Sequence, residues 1–364
     1  MKIAFYGSSL LSSWWNGAAT YYRGLLRDLA GRGHHITFYE PDAYERQKHR
    51  DMEPPPWARS VVYPATPEGL RMVLAEARRA DIVVKASGVG IFDDELISGI
   101  LEHASPHALK IFWDVDAAAT LEEMRRSADH PVRRSLSAFD FVLTYGGGPP
   151  VVEAYEGFGA SRCVPVYNAL DPTTHCPVEP DPRFAADLSF LGNRLPDREA
   201  RVEEFFLSPA AELCGRSFLI GGNGWESKAL PANVRHLGHV FTNEHNAFNC
   251  TPLAVLNIAR DSMATVGFSP ATRVFEAAGA GACLITDAWE GIELFLKPDE
   301  EVLVARDGRD VAEHVRSLTR ERALEIGAAA LARVLREHSY AHRGAQVDAL
   351  LRSEMASRME GVAA

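Results

Sequence analysis

The sequence predicts an α/β protein made of two doubly wound domains. Short apolar runs suited to buried parallel strands alternate with segments of helical period. This alternation comes in two blocks, separated by a stretch with prolines at 172, 177, 180 and 182. A chain of 364 residues is long enough to give each block its own core.

In the first block, 2–6 is a strand and 7–17 a Gly- and Ser-rich loop. A helix is expected over 18–31, with Tyr21, Leu25, Leu26 and Leu29 on one face. Residues 33–40 form the next strand and complete a βαβ unit. The polar, Pro-rich stretch 42–56 is expected as an exposed loop. Residues 66–79 read as a helix, 81–85 as a strand and 93–102 as a helix. The strand 109–113 ends in Asp114-Val-Asp116, and 120–126 is helical. The strand 139–144 opens into Tyr145-Gly-Gly-Gly-Pro-Pro150, and a short helix and the strand 162–166 follow. These elements give an N-terminal domain over 1–170, followed by the Pro-rich linker 171–186.

The second block repeats the pattern. Strands are expected at 187–191, 216–221, 234–238, 254–258, 283–286 and 301–305. Helices are expected at 198–206, 243–249, 308–318 and 321–338. The second domain then spans 187–338. A last helix over 339–364 carries Tyr340, Gly344, Val347 and Leu351 at helical spacing.

Composition narrows the function. A net charge of −11 argues against a general nucleic-acid binder, which needs a basic face. The five cysteines are scattered and odd in number, which favours free thiols in a reducing compartment, by default the cytoplasm. No apolar run reaches membrane-spanning length, and the start of the chain reads as a strand too short for a signal-peptide core.

The most informative stretch is 267–287. Ser269 is expected as an N-cap, with Pro270 as the first helical residue. Val274, Phe275, Ala277 and Ala278 supply an apolar side, and Gly279 and Gly281 end the helix. The free N–H groups of such a helix start attract an anion. Thr272 and Glu276 lie one above the other on one face. An anion at the tip and an acid one turn below suit a nucleotide, with phosphates on the amides and ribose hydroxyls on the carboxylate. A capped amphipathic helix with a solvated Glu fits the same residues.

The second half, over 187–350, resembles GT-B glycosyltransferases, in particular the branch that includes spore-maturation CgeB-like proteins. The residues that carry the resemblance are Leu188-Ser-Phe-Leu-Gly-Asn-Arg194, Val255-Leu-Asn-Ile258, Ser269-Pro-Ala-Thr-Arg-Val-Phe-Glu-Ala-Ala-Gly-Ala-Gly281, Leu284-Ile-Thr-Asp-Ala-Trp-Glu-Gly-Ile-Glu293 and Arg336-Glu-His-Ser-Tyr-Ala-His-Arg343. In the first half it rests on Phe112-Trp-Asp-Val-Asp-Ala117 and Thr144-Tyr-Gly-Gly-Gly-Pro-Pro150. The resemblance implies two Rossmann-like domains facing across a cleft, with the C-terminal one holding a nucleotide-diphosphate sugar. It implies that Glu276 holds the ribose and that Ser269, Ala271 and Thr272 meet the phosphates. Phe268 stands where the family has a second acid, and Trp113-Asp114 where many relatives have His-Asp.

Glycosyl transfer needs a base near the acceptor hydroxyl and positive charge on the departing diphosphate. Arg194, Arg198 and Arg273 are candidates for the charge, and each also reads as a surface Arg. Asp114 and Asp116 lie two apart at a strand end, as a base, as acceptor ligands, or as turn and cap residues. Asn16 and Gly17, Gly146 and Gly147, and Gly222, His239 and Val240 are the expected cleft loops. Trp14 and Trp15 either stack on a ligand or pack, and Glu290 and Glu293 are near-sugar positions or surface acids.

The resulting expectation is a glycosyltransferase using a UDP- or dTDP-sugar, with no cofactor and no metal, on an acceptor that no motif specifies. None of the 13 histidines shows metal-ligand spacing. Two alternatives share the motifs. One is a non-catalytic nucleotide-sugar-binding module. The other is a metal-dependent transferase using Asp114-Val-Asp116.

Overall fold

The computed structural model describes residues 1–14, 16–196 and 198–360 and the backbone of 361–363. Trp15, expected either to stack on a ligand or to pack, and Asp197, in the loop after the strand 187–191, lie outside the described residues. The chain forms two compact units, one of Met1–Tyr167 with Tyr340–Ala364 and one of Asn168–Ser339. Each contains a parallel sheet flanked by helices, so the α/β fold with two Rossmann-like domains holds.

The first sheet has seven strands: β1 (Lys2–Tyr6), β2 (His35–Asp42), β3 (Ala58–Pro64), β4 (Ile82–Ala86), β5 (Leu109–Asp114), β6 (Phe141–Thr144) and β7 (Cys163–Pro165). Their order is β3-β2-β1-β4-β5-β6-β7. Central strands are buried on both faces, as β1 illustrates: Phe5 lies beside Phe38 on β2 and Val84 on β4. The edge strand β3 was not expected from sequence. Its half-exposed Ala58-Arg-Ser-Val-Val lacks the apolar run that marks a buried strand.

Glu40, buried near the end of β2, fixes the loop after β1. Its carboxylate accepts from the Ser9 hydroxyl at 3.0 Å, the Leu10 amide at 2.5 Å and Gln47 at 2.6 Å. Each of these bonds involves a charged acceptor, the stronger kind.

The last helix, Tyr340–Ala363, belongs to the first unit. Gly24 leaves room for the Tyr340 ring, since a Cβ there would lie 2.1 Å from it. His34 Nε2 is 2.7 Å from Asp348, and Arg162 is 2.9 Å from Glu354. Burial pulls the His34 imidazole below its ordinary pKa, and Asp348 pulls it back up.

The second sheet has six strands: β8 (Leu188–Leu191), β9 (Phe218–Gly221), β10 (Val234–His236), β11 (Ala254–Asn257), β12 (Leu284–Asp287) and β13 (Leu303–Ala305). Their order is β10-β9-β8-β11-β12-β13. Phe190, Phe206, Phe218, Leu256 and Ile285 fill its core. In both sheets the order reverses beside the first strand of the unit, at β1/β4 and at β8/β11. Ligand crevices of doubly wound sheets open at that point. Short helices at Pro131–Ser135 and Asp261–Val266 were not expected. No described helix is long and apolar enough to cross a membrane.

The Pro-rich stretch expected as a linker packs on the second unit. Phe184 is buried edge-on to Phe248, with ring centroids 5.5 Å apart, and His175 is buried too. Prolines alone signalled a linker; the apolar partners of Phe184 were distant in sequence. Phe184→Ala should therefore cost about 3 kcal/mol of stability, as a core aromatic does, and not the near-zero cost of a solvated linker. Urea unfolding of the full chain measures this.

Candidate functional site

The loop before helix Thr272–Gly279 follows a constrained path. Phe268 has a left-handed backbone (φ 47°) and donates its amide to the Glu290 carbonyl at 2.6 Å. Its ring lies over Gly291, where a Cβ would come within 2.2 Å of it. A bulky residue at positive φ is strained by roughly 1–3 kcal/mol and persists only where its surroundings hold it. The buried Asn168 amide donates to the Pro270 carbonyl at 3.2 Å and holds the other end of the loop.

The expected cap is corrected. The Ser269 hydroxyl donates back to the Gly267 carbonyl at 2.9 Å, and the extended Ala271 occupies the N-cap position. The helix thus begins at Thr272, two residues after Pro270. Asn168 and Phe268 hold the loop extended here, overriding the local preference of Ser-Pro for a helix start. The shift moves the helix start to Thr272 and Arg273, ahead of Val274, whose amide donates to the Ala271 carbonyl at 3.0 Å; a helix start of this kind favours an anion.

Glu276 lies one turn into this helix, its side chain 15% exposed. His175 Nε2 is 3.8 Å from Glu276 Oε1. His245 joins them: one ligand atom from each of the three residues lies within 4.8 Å of the others. His175 Nδ1 is 3.0 Å from the Thr174 hydroxyl, and His245 Nε2 is 3.3 Å from the Val240 carbonyl. Burial holds the His245 imidazole below its ordinary pKa; Glu276 opposes this and Arg273 adds to it. The Nη1 atom of Arg273 is closed off from solvent without a hydrogen-bond partner. Burial lowers this guanidinium's pKa, against the pull of Glu276. Sequence reading singled out Glu276 and Arg273 and missed both histidines, which come from the supposed linker and from the start of helix His245–Cys250.

The other donor-side candidates occupy the loops after β8, β9 and β10. Arg194 is paired with Glu199 at 2.7 Å, and with Lys228 it holds the Glu199 carboxyl down to about 2. Arg198 donates to the Asn193 carbonyl at 2.8 Å and lies over the Phe190 ring at 5.5 Å. Gly222 has φ 118°, and a Cβ there would meet the Gly192 carbonyl at 2.3 Å, so this glycine joins two loops. Val240 is buried in the core beside Phe184, while His239 is exposed against Phe241.

In the first unit the candidates separate. Asp114 is fully buried. Its Oδ1 accepts from the Ser87 hydroxyl at 2.7 Å and the Asp116 amide at 2.9 Å, and its Oδ2 accepts from the Tyr155 hydroxyl. Both oxygens are committed, so Asp114 is a turn carboxylate and not a general base. Asp116 is half-buried at the N-cap of helix Ala117–Arg126.

Asn16 staples the loop after β1. It accepts from Ser8 at 2.9 Å and donates to the Ser9 and Ser12 carbonyls at 2.9 and 3.0 Å. Gly17 is exposed, and Trp14 stacks on His49 at 4.0 Å. Gly147 (φ 95°) caps helix Gly148–Gly157, and Gly146 is buried beside it. This pair serves the turn.

Residues 198–349 match the family model described as glycosyl transferase-like. No curated protein matches the chain in sequence. Among solved structures, sucrose-phosphate synthase from Thermosynechococcus elongatus superposes with a TM-score of 0.70 at 14% identity, covering 98% of this chain and 100% of its own. Anabaena HepE in complex with UDP and glucose gives 0.67 at 12% identity, covering 97% and 100%. T4 phage β-glucosyltransferase with its UDP-glucose substrate gives 0.55 at 13% identity, covering 99% and 97%. The chain therefore has the GT-B fold of these transferases, and its residues 198–349 are similar to a glycosyl transferase-like domain.

The geometry separates the two acids of the first unit. Asp114→Ala leaves the buried Tyr155 hydroxyl and two part-buried donors without an acceptor and should cost about 3 kcal/mol in urea unfolding. Asp116→Ala should cost under about 1 kcal/mol, as a cap position does.

Proposed function

We propose that the protein transfers a sugar from a nucleoside-diphosphate donor, UDP- or dTDP-linked, to an acceptor hydroxyl. The observation that carries this reading is Glu276 one turn inside a helix start, with the unpartnered Arg273 Nη1 close by. The carboxylate accepts two vicinal ribose hydroxyls. The loop amides over Ser269, Ala271 and Thr272 receive the diphosphate. Arg273 adds positive charge as the diphosphate departs, and Arg198 adds more from the loop after β8. With the leaving charge held by amides and guanidinium groups, the transfer step needs no metal. Of the two first-unit acids, Asp116, half-buried at a helix start, is the candidate base.

The glycosyl transferase-like match over 198–349 supports this reading, as do the nucleotides bound to HepE and the T4 enzyme. The motifs at 188–194 and 269–281 also resemble those of CgeB-like proteins. Five free cysteines suit a cytoplasmic setting. One observation favours a second reading, nucleotide-sugar binding without turnover: Phe268 packs on Gly291 where relatives carry a second acid.

A thermal-shift series with UDP, dTDP, GDP and ADP tests the site. A binding nucleotide at a hundred times its Kd should add about 2.7 kcal/mol. Glu276→Ala should weaken that nucleotide by roughly thirtyfold, the loss of a charged hydrogen-bond acceptor. Donor hydrolysis that survives EDTA and is lost in Glu276→Ala supports the transferase. Binding without turnover on any acceptor supports the second reading, and no response to any nucleotide overturns both.

A further inference from the structure

We propose that His175, His245 and Glu276 bind one divalent transition-metal ion of the zinc class, and that this ion and the nucleotide exclude each other. Two imidazoles and a carboxylate, with a fourth position open to water, are a donor set that zinc takes. Magnesium, which prefers oxygen ligands, would not select it.

The three residues come from different parts of the second unit and converge on one point. His175 Nε2 and Glu276 Oε1 are 3.8 Å apart, and the three ligand atoms lie within 4.8 Å of one another. Zinc bonds of roughly 2.0–2.2 Å set neighbouring ligands about 3.4 Å apart, so side-chain rotations of about 1 Å close the set. Each imidazole has an outer partner that orients its ring. His175 Nδ1 meets the Thr174 hydroxyl, which leaves Nε2 for the ion. His245 Nε2 donates to the Val240 carbonyl, which leaves the other nitrogen with its lone pair. Outer contacts of this kind accompany metal-bound histidines. Arg273 stands beside Glu276 and repels a cation, so it weakens the ion site while favouring a diphosphate.

The ion site stands on the three side chains alone. The exclusion rests on the ribose reading of Glu276, because a carboxylate bound to zinc is a poor acceptor for two hydroxyls.

The test uses the full chain, stripped with EDTA and desalted, and titrated calorimetrically with zinc chloride in the absence of nucleotide. One ion should bind, and magnesium chloride should give no heat. His175→Ala and His245→Ala should each weaken zinc at least tenfold, with His245→Gln as a second variant should the alanine form fail to fold. Arg273→Ala should tighten zinc and weaken UDP, which a merely structural role for Arg273 would not do. No zinc binding, or binding indifferent to both histidines, overturns the site.

Uridine, which lacks the diphosphate that would itself chelate zinc, then probes the exclusion. It should bind the zinc-loaded protein at least tenfold more weakly than the metal-free form. Equal affinity for both forms overturns the exclusion and leaves the ion site. Failure of uridine and UDP to bind the metal-free form overturns the nucleotide reading, and the exclusion with it.

Discussion

The hydrogen bond from the Phe268 amide to the Glu290 carbonyl, with the Phe268 ring seated on Gly291, sets the geometry of the second unit's functional end. It holds a bulky residue in a left-handed conformation and forces the chain to stay extended through Ala271. Asn168 grips the same loop at Pro270. The start of helix Thr272–Gly279, and with it the height of Glu276, follows from these contacts. A side chain in place of Gly291 would displace Phe268 and move the helix start.

Buried carboxylates do similar work at the ends of both sheets. Glu40 gathers the loop after β1, and Asp114 ties the loop after β4 to the turn after β5 and to Tyr155. In the second unit Asp287 receives the Ala259 amide and pairs with Arg201 at 2.5 Å. Burial raises the Asp287 pKa, and Arg201 opposes the rise. In each case a charge removed from water is saturated with donors, the condition under which burying it is tolerable. Such acids look catalytic in a sequence because they fall at strand ends. Their burial and full complement of donors identify them as anchors.

Glu276, Arg273 and the two histidines form the opposite case. Here polar groups converge without saturating one another: Arg273 Nη1 lacks a partner and His175 stands 3.8 Å from the carboxylate. An incompletely satisfied polar cluster at a strand-end crevice is the arrangement that a ligand completes. The same carboxylate faces imidazoles that suit a metal ion and an arginine that suits a phosphate, so the two kinds of ligand compete for one group.

Most strands and long helices were legible because apolar periodicity reports burial directly, as in Phe5 and Phe38 of the first sheet. Edge strand β3 was not, because one exposed side removes the apolar run. The motif around Glu276 was legible as local helix chemistry, and Glu276 and Arg273 do lie together. The cap was misplaced because contacts from Asn168 and Glu290, distant in sequence, overrode it. The amino-acid sequence by itself determined two parallel sheets and a helix carrying an acid one turn from its start, since these depend on near neighbours and on period. Only the tertiary structure decided that Asp114 is an anchor, that the Pro-rich stretch packs, and that His175 and His245 face Glu276. Those facts depend on which distant segments the fold brings within a few ångströms, and no spacing in the sequence carries that information.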